Sequence, residues 1–501
     1  MAAVELSQID LIKPKQTFIV AFVNSKSGGQ HGTKVYNGLL EKITPIEIPL
    51  TVKPSPKGGK KLLMVINRRK TGHGAVHDLA LVSKGPEHLP ENVLRKHLLQ
   101  HPNLRIIVCG GDGTMCWILN SIASLNLSKE KTPPMSMMPL GTGNDLSRMY
   151  GWGKHFHSSQ LKHSHLQKIH TARPEVLDLW CLKVTMPSEG MTKKVIKWLP
   201  PGLHKVDQAS VNTHKHQHVA SWVNDGEIFA TAFGENNDQN NDKNNDNNND
   251  NNNDNNNDNN NNSANGETKT ETKTEIKTDS NTKMETTSTS KTDVQIYSGH
   301  ICNYMSIGMT ARGAMLFHQE REKNPARFTG SFKNKVIYAS KGCGMCCGDC
   351  GCHPDVRHSV SLEACSASTS NSNAFEAVPL TSCGVMSEIN ILNIQSYSGG
   401  VVKTPTSFPN KPSPGDGILE VVGLGGYQQT SAIVGLCMCC CVSPMKKIMQ
   451  ASAVRLTIQT PNDEPIVAQF DGEPFFLPSG SIVELTKDVN PVLVLSLKKK
   501  K

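Results

Sequence analysis

Apolar and amphipathic runs alternate along the chain from about Thr17 to Leu179. The apolar runs, which are typical of buried strands, are TFIVAFVN, LLMVINR, LRIIVCGG and MSMMPL. The amphipathic runs, with apolar residues at helical spacing, are TKVYNGLLEKI, ENVLRKHLLQ and TMCWILNSIASL. Strands that alternate with helices predict an α/β fold with a doubly wound parallel sheet in this part of the chain.

The pattern changes after Asp293, where short strand-like runs are separated by glycine and proline turns. These runs predict a larger, β-rich and sandwich-like second domain. A last apolar run, NPVLVLSL, is expected to return to the first domain. The predicted parts are an α/β domain over 1–175, an insertion over 187–293, a β-rich domain over 294–490, and a final strand with a basic tail over 491–501.

The insertion differs from both domains in composition. Residues 235–262 are almost entirely asparagine and aspartate, and the run that follows to Asp293 is rich in threonine, lysine and glutamate. Such segments cannot bury enough apolar surface to offset the entropy lost on ordering. We therefore expect the insertion to be disordered.

Length and charge narrow the range of partners. The chain has 501 residues, enough for two domains with sizeable cores, and a formal net charge of +9. The basic residues do not form a stripe interleaved with aromatic residues, so nucleic acid is not an expected partner. The lysines from Lys498 to Lys501 favour a weak attraction to an anionic lipid surface. The sequence gives no indication of the oligomeric state.

The sequence has no pattern typical of secretion or of a membrane span. The N-terminal residues lack a basic region followed by an apolar core, and no apolar run approaches the roughly 18 residues that a spanning helix needs. Fifteen cysteines without a secretory signal predict reduced thiols. We therefore expect a cytoplasmic protein that is recruited peripherally to membranes.

Two clusters of cysteines, Cys343–Cys352 followed by His353 and Cys437–Cys441, leave three interpretations open. The first cluster has the residue types of a zinc site. Either cluster could instead carry palmitate, which would anchor a peripheral enzyme. The third interpretation is inert reduced thiols in loops.

Three glycine-rich turns follow predicted strands and precede predicted helices, at Asn24–Gly32, Gly110–Thr114 and Pro139–Arg148. The carboxyl ends of parallel strands meet at one edge of a sheet, so we expect these turns to lie together. Backbone N–H groups without side chains in the way can approach phosphate oxygens, and the helix that follows favours negative charge. With Asp112 and Asp145 in two of the turns, the pattern predicts a nucleotide-phosphate site.

The common phosphate-binding signatures do not describe these turns. The chain lacks the GxxxxGK[ST] loop, the HRD and DFG motifs of protein kinases, and a well-formed GxGxxG. The predicted site therefore belongs to another class.

The turn sequences FVNSKSGG, VCGGDGTMCWILN and PLGTGNDLSR, in this order, resemble the catalytic domain of the diacylglycerol kinases. The segments that are similar to the accessory part of the eukaryotic enzymes are Asn303–Tyr338, Leu392–Gly400, Asp416–Gly423 and Ala468–Pro474. The resemblance covers most of the chain outside the insertions. It implies ATP-dependent transfer of phosphate to diacylglycerol in membranes, which gives phosphatidic acid in lipid signalling.

The resemblance also implies roles for single residues. Those that would hold the nucleotide are Asn24, Lys26, Ser27, Gly111, Gly113, Thr114, Gly141, Thr142 and Asn144. Mg²⁺ would be held by Asp112 and Asp145. Asp416 matches an aspartate that binds a structural metal in bacterial relatives, with a plain turn residue as the alternative.

The catalytic base has two candidates. Asp471, in AQFDGEP, matches the aspartate that takes the hydroxyl proton in bacterial diacylglycerol kinases, whereas Asp112 matches the base assigned in the related sphingosine kinases. We expect Asp471 to be the base, with Asp112 as the alternative and Asp145 as a further catalytic residue.

Two other functions remain open. The GGDGT and GTGND turns also fit a sphingosine or ceramide kinase, although the Asn303–Tyr338 block points to diacylglycerol. Thr310 stands where the family usually has aspartate, and a hydroxyl cannot replace a carboxylate as a metal ligand. A catalytically impaired, membrane-docking pseudokinase is therefore the third interpretation, although Asp112, Asp145 and Asp471 are retained and favour a working kinase.

Overall fold

The runs TFIVAFVN, LRIIVCGG and MSMMPL form neighbouring strands of one sheet, and their apolar residues suit a sheet that is buried on both faces. The computed structural model of the chain describes residues 17–27, 31–43, 74–200, 202–206, 293–328, 333–334, 336–338, 355–367, 374–397, 400, 402–403, 405, 407–425 and 445–498. The α-helices in these residues are α1 (His31–Ile43), α2 (Pro90–Gln100), α3 (Asp112–Ala123), α4 (Asp145–Met149), α5 (His163–Thr171), α6 (Lys193–Lys197) and α7 (Met309–Lys323).

A six-stranded sheet forms the first part of the fold. Its strands are β1 (Phe18–Val23), β2 (Gly74–Asp78), β3 (Leu104–Gly110), β4 (Met135–Pro139), β5 (Arg173–Leu177) and β20 (Val492–Ser496). The strand order is β2-β1-β3-β4-β20-β5, and every pair is parallel except β20 with β5. The final apolar run of the sequence thus lies in the first sheet.

The register of this sheet brings the three glycine-rich turns to the same level. Val23 at the end of β1 lies opposite Cys109 of β3, and Gly110 lies opposite Pro139 at the end of β4. The turn after each strand therefore starts at the same edge of the sheet, where ligands bind in open parallel sheets.

A twelve-stranded sheet, antiparallel throughout, forms the second part. Its strands are β6 (Trp180–Pro187), β7 (His204–Val206), β8 (Val294–Ile301), β9 (Tyr304–Gly308), β10 (Val360–Ser366), β11 (Glu376–Val378), β12 (Glu388–Leu392), β15 (Leu419–Leu424), β16 (Lys446–Ile458), β17 (Ile466–Phe470), β18 (Glu473–Leu477) and β19 (Ile482–Lys487). A separate pair consists of β13 (Ser396–Tyr397) and β14 (Val402–Lys403). These two sheets confirm the predicted fold class, a parallel-sheet α/β domain followed by a β-rich domain.

The predicted start of the insertion at residue 187 needs correction. Residues 188–206 contain α6 and the strand β7, which pairs with β8 in the second sheet. β6 precedes these residues and also pairs with β8. The second domain therefore includes strands from both sides of the low-complexity segment. The sequence pattern missed this because β7 has only three residues, too few to show a period.

Several predicted features lie outside the described residues. They are the LLMVINR strand, the asparagine- and aspartate-rich tract, the two cysteine clusters, and the last three lysines. Within the part of the chain that the structure describes, no helix is both long enough and apolar enough to cross a membrane.

The final strand is central to the first hydrophobic core. Leu495 is fully buried, and its carbonyl oxygen accepts a hydrogen bond of 2.6 Å from the Trp152 indole N–H. We expect Leu495→Ala to lower the free energy of unfolding by about 2–5 kcal/mol, because it leaves a cavity in the first hydrophobic core. Urea denaturation measures this change. The matched control is Val489→Ala, at a side chain that is 72% exposed, where less than about 0.5 kcal/mol is expected. Equal losses for the two variants would contradict the placement of the strand.

Candidate active site

Two of the glycine-rich turns touch each other through their backbones. A Cβ atom added to Gly141 would lie 2.6 Å from the Cα atom of Gly111. A contact this close is possible only between residues without side chains. The turns that follow β3 and β4 therefore form one continuous surface of backbone at the sheet edge, beside Thr142.

Asn144 closes the second of these turns. It is fully buried in a left-handed conformation with φ of 55°, which asparagine tolerates better than most residues. Its amide nitrogen donates to the carbonyl oxygens of Gly141 (2.7 Å) and Lys154 (2.9 Å), and its amide oxygen accepts from the Gly141 N–H (3.0 Å). These bonds hold the turn open toward solvent on the Gly141 side.

The first turn lies beside the others. The Asn24 N–H donates to the carbonyl oxygen of Cys109 (3.0 Å), and the Asn24 side chain donates to the Thr114 hydroxyl (3.4 Å). Lys26 in this turn is exposed, and Ser27 is half-buried. Gly28, Gly29 and Gln30 lie outside the described residues. The structure thus brings together the predicted residues of all three turns, as far as it describes them.

Asp112 and Asp145 form an acidic pair at the beginning of α3 and α4. The Asp112 carboxylate accepts hydrogen bonds from the N–H groups of Asp145 (3.1 Å) and Leu146 (3.2 Å) at the start of α4. Burial, and then the negative charge of Asp145, raise the pKa of Asp112 to about 7. The pair therefore carries a repulsion that a cation between the carboxylates would relieve.

Asp471 approaches the same edge from the second sheet. It lies in the tight turn between β17 and β18 with φ of 49°. Its carboxylate accepts N–H hydrogen bonds from Cys302 (2.9 Å), Asn303 (2.7 Å) and Tyr304 (3.1 Å). Burial raises the pKa of Asp471 to about 6 in spite of these three donors. A carboxylate offers about four acceptor positions, so one position remains for a further proton or donor.

The β17–β18 turn faces the glycine turn that begins α3. A Cβ atom added to Gly113 would lie 3.3 Å from Oε1 of Glu473, the second residue after Asp471. The charge of Asp471 also raises the pKa of Asp112. The two sheets therefore meet at a cleft with glycine turns and the Asp112–Asp145 pair on one wall and Asp471 on the other.

Asp416 is placed differently. It is exposed in a loop, and its Oδ1 accepts a hydrogen bond of 3.0 Å from the Ile418 N–H. The next residue, Gly417, donates its N–H to Asp178 (2.6 Å). Among the described residues Asp416 belongs to neither group of three metal-ligating side chains that the structure brings within 4.8 Å. A metal role for Asp416 stays a prediction.

Family comparison decides what kind of cleft this is. The family model of the diacylglycerol kinase catalytic domain matches residues 19–174, and that of the diacylglycerol kinase accessory domain matches residues 300–474. The chain belongs to the diacylglycerol kinase family. The first match ends within the first sheet, and the second ends in β18, so together they contain both walls of the cleft of this lipid kinase.

Named relatives align along most of the kinase. Diacylglycerol kinase 4 of Arabidopsis thaliana is 28% identical over 479 residues, which are 92% of this chain and 77% of the relative. Diacylglycerol kinase 1 of Oryza sativa subsp. japonica is 25% identical and covers 95% of this chain and 77% of its own. The eye-specific diacylglycerol kinase of Drosophila melanogaster is 25% identical over 85% of this chain but only 20% of its own length.

The structure adds residues that sequence reasoning missed. The Ser396 hydroxyl donates to Oδ1 of Asp145 (2.6 Å), so β13 holds one carboxylate of the acidic pair. The next residue, Tyr397, donates its hydroxyl to Glu388 (2.5 Å). Both residues of β13 lie in the family-like segment LNIQSYSGG, which is the signal that could have found them.

Glu388 brings a carboxylate to Thr310. Its Oε2 accepts the Thr310 N–H (2.8 Å), its Oε1 accepts the Thr310 hydroxyl (2.5 Å), and burial raises the pKa of the Glu388 carboxyl. The position in α7 where the family usually carries aspartate is therefore next to a buried glutamate from β12. Nothing in the sequence linked residues so far apart.

One cysteine pair differs from the prediction of reduced thiols. Cys116 in α3 and Cys302 between β8 and β9 form a disulfide across the cleft. The pair is 186 residues apart in sequence, and only the packing of α3 against the second sheet brings the sulfur atoms together. Cys109, Cys181, Cys365 and Cys383 carry free thiols.

The contact between the glycine turns predicts an intolerant position. We expect Gly141→Ala to lower the melting temperature by several degrees, because the new methyl group would press on the backbone of Gly111 and no rotamer can relieve this clash. Differential scanning calorimetry measures the change. The matched control is Gly313→Ala in α7, where the nearest atom is 3.9 Å away and alanine favours the helix. A melting temperature of Gly141→Ala equal to wild type would refute this packing.

The raised pKa of Asp112 predicts a pH-dependent stability. The folded state binds the proton more tightly than the unfolded state, so this group's contribution to folding is lost as pH rises from about 4 through 7. Without divalent cations, the free energy of unfolding of Asp112→Asn should therefore increase relative to that of wild type across this pH range, by about 2 kcal/mol. Urea titrations at several pH values measure the difference. The exposed control Glu464→Gln should stay parallel to wild type.

Proposed function

We propose that this kinase transfers the γ-phosphoryl group of ATP to the free hydroxyl of diacylglycerol and releases ADP and phosphatidic acid. The observation that carries this proposal is the meeting of three glycine-rich turns and an acidic pair at one sheet edge, opposite Asp471. Family membership supports the substrate, because the named relatives are diacylglycerol kinases. The product places the reaction in lipid signalling.

The glycine turns supply the phosphate site. Backbone N–H groups at the start of α3 would donate to phosphate oxygens, and the helix dipole favours negative charge there. The residues that would contact the nucleotide are Asn24, Lys26, Ser27, Gly111, Gly113, Thr114, Gly141, Thr142 and Asn144. The exposed Lys26 adds a positive charge to this wall.

The acidic pair fits a hard cation. Asp112 and Asp145 present carboxylate oxygens, the ligands that Mg²⁺ prefers, and burial together with the charge of Asp145 raises the pKa of Asp112. Mg²⁺ held by these two residues, directly or through water, would neutralise charge on the transferred phosphate. Ser396 orients Asp145 for this role through its hydrogen bond.

Asp471 acts as the base in this proposal. The substrate oxygen bonds to the γ-phosphorus, the bond from that phosphorus to the bridging oxygen of ADP breaks, and the hydroxyl proton passes to the carboxylate of Asp471. With a pKa of about 6, Asp471 is mostly ionised at neutral pH, as a base must be. The N–H groups of residues 302–304 keep its carboxylate turned toward the cleft.

The Thr310 position supports a working kinase over a pseudokinase. Glu388 supplies a buried carboxylate there and connects through Tyr397 to the strand that orients Asp145. The carboxyl group that the threonine lacks is thus present in the same cluster.

One assay separates the candidate activities. Purified protein is incubated with labelled ATP, Mg²⁺ and mixed micelles of diacylglycerol, sphingosine or ceramide. Label in phosphatidic acid supports the proposal, label in another lipid supports the sphingosine- or ceramide-type alternative, and no label supports the pseudokinase.

We expect Asp471→Asn to lower kcat by about 100-fold or more, because the amide cannot take the hydroxyl proton. Nucleotide binding should remain, since the phosphate site lies on the other wall. Asp112→Asn should instead weaken Mg²⁺-dependent nucleotide binding as well as turnover. Initial rates and a fluorescent-nucleotide titration measure both effects.

The control for Asp471→Asn is Asp463→Asn, an exposed aspartate with a similar left-handed φ of 54°. It should leave kcat unchanged, and melting curves should show that all three variants are folded. Wild-type turnover in Asp471→Asn would move the role of base to Asp112.

A further inference from the structure

A basic surface with apolar side chains borders the cleft. We define it as the basic rim: residues 191–199, which include α6, and residues 320–327, at the end of α7. The rim contains six lysines and arginines against two glutamates. We propose that the basic rim docks on an anionic lipid bilayer and presents the cleft to it, an inference that rests on the proposed lipid substrate.

In the sequence around α6, MTKKVIKWL, one residue is fully buried and its neighbours form a surface exposed to solvent. Val195 is fully buried, and its N–H donates to the Thr192 hydroxyl, which caps the helix (3.3 Å). Lys193 and Lys194 are exposed, and the Ile196 side chain is 53% exposed. The helix therefore presents cations and an aliphatic side chain to solvent together.

This surface runs along the hairpin that carries Asp471. The Lys194 ammonium lies 4.5 Å from the ring centroid of Phe476 in β18. Farther along, Gly202 faces the ring of Phe470, with 3.4 Å between that ring and a Cβ added to the glycine. Phe470 immediately precedes Asp471, so the chain that follows the rim contacts the strand that leads to Asp471.

The end of α7 forms the second part of the basic rim, next to α6. Lys197 forms an ion pair of 2.9 Å with Glu322, which joins α6 to α7. The positive charge of Arg321 opposes the burial that raises the pKa of Glu473, so the arginine lies near the β17–β18 turn. Lys323 and Arg327 are exposed beyond it.

The composition of the rim selects a bilayer rather than another acidic partner. Lysines near an anionic membrane each add about 1 kcal/mol of attraction. Ile196 and the half-buried Trp198 provide apolar and amphipathic groups of the kind that enter the interfacial region. Nucleic acid would require exposed rings for stacking, whereas the Trp198 ring is half-buried beneath the Lys197 ammonium at 5.4 Å.

Docking through the rim has a direct consequence for the reaction. The cleft wall with Asp471 would face the headgroup layer, where the hydroxyl of diacylglycerol lies. The lipid could then reach the base while its acyl chains stay in the bilayer.

Vesicle sedimentation of the full-length protein tests the inference. We expect binding to vesicles of phosphatidylcholine with 25 mol% phosphatidylserine, roughly tenfold or more above pure phosphatidylcholine. Lys193→Glu with Lys194→Glu should lower this binding about tenfold or more, and Ile196→Asp should also lower it. The matched controls are Lys129→Glu with Lys131→Glu, in the exposed loop after α3, and Leu99→Asp at an 89% exposed leucine.

Activity in two lipid forms separates this inference from the proposed function. The rim variants should phosphorylate diacylglycerol in detergent micelles like wild type but lose activity on vesicles. No phosphatidic acid from wild type in micelles would refute the proposed function while the sedimentation result stands by itself. Unchanged vesicle binding by the rim variants would overturn the inference. So would wild-type binding to heparin or RNA but not to anionic vesicles, because the rim would then be a nucleic-acid-type surface.

Discussion

Electrostatic repulsion among carboxylates is the constraint around which this cleft is built. Burial raises the pKa of Asp112, and the charges of Asp145 and Asp471 raise it further. The fold tolerates this concentration of charge because backbone N–H groups donate hydrogen bonds to the carboxylates, two to Asp112 and three to Asp471. A cation between these carboxylates would relieve their repulsion.

Glycine residues are equally important on the wall that the first sheet forms. Gly111 and Gly141 are in contact through their backbones, and any larger residue would push the turns after β3 and β4 apart. Asn144 then closes the second turn with three hydrogen bonds. These contacts bring the backbone of the two turns to the same sheet edge as the Asp112–Asp145 pair.

The second sheet makes the site complete. It contributes Asp471 and Glu473 from one hairpin, and the Cys116–Cys302 disulfide fastens it to α3. The separate β13–β14 pair contributes Ser396. These contacts orient side chains that lie far apart in the sequence. The packing also places Lys194 of the basic rim against Phe476, in the hairpin that carries the proposed base Asp471.

The sequence by itself determined the parallel sheet, the three glycine-rich turns and the retained aspartates, because these depend on local periodicity and on residues within a few positions of one another. It did not reveal that residues 204–206 belong to the second sheet, since a three-residue strand carries no period. Only the tertiary structure decided that Glu388 reaches Thr310, that Ser396 holds Asp145, and that Cys116 meets Cys302. Each of these pairs is separated by 78 residues or more, and the chain folds them together through strand order and packing, which no single-sequence pattern encodes.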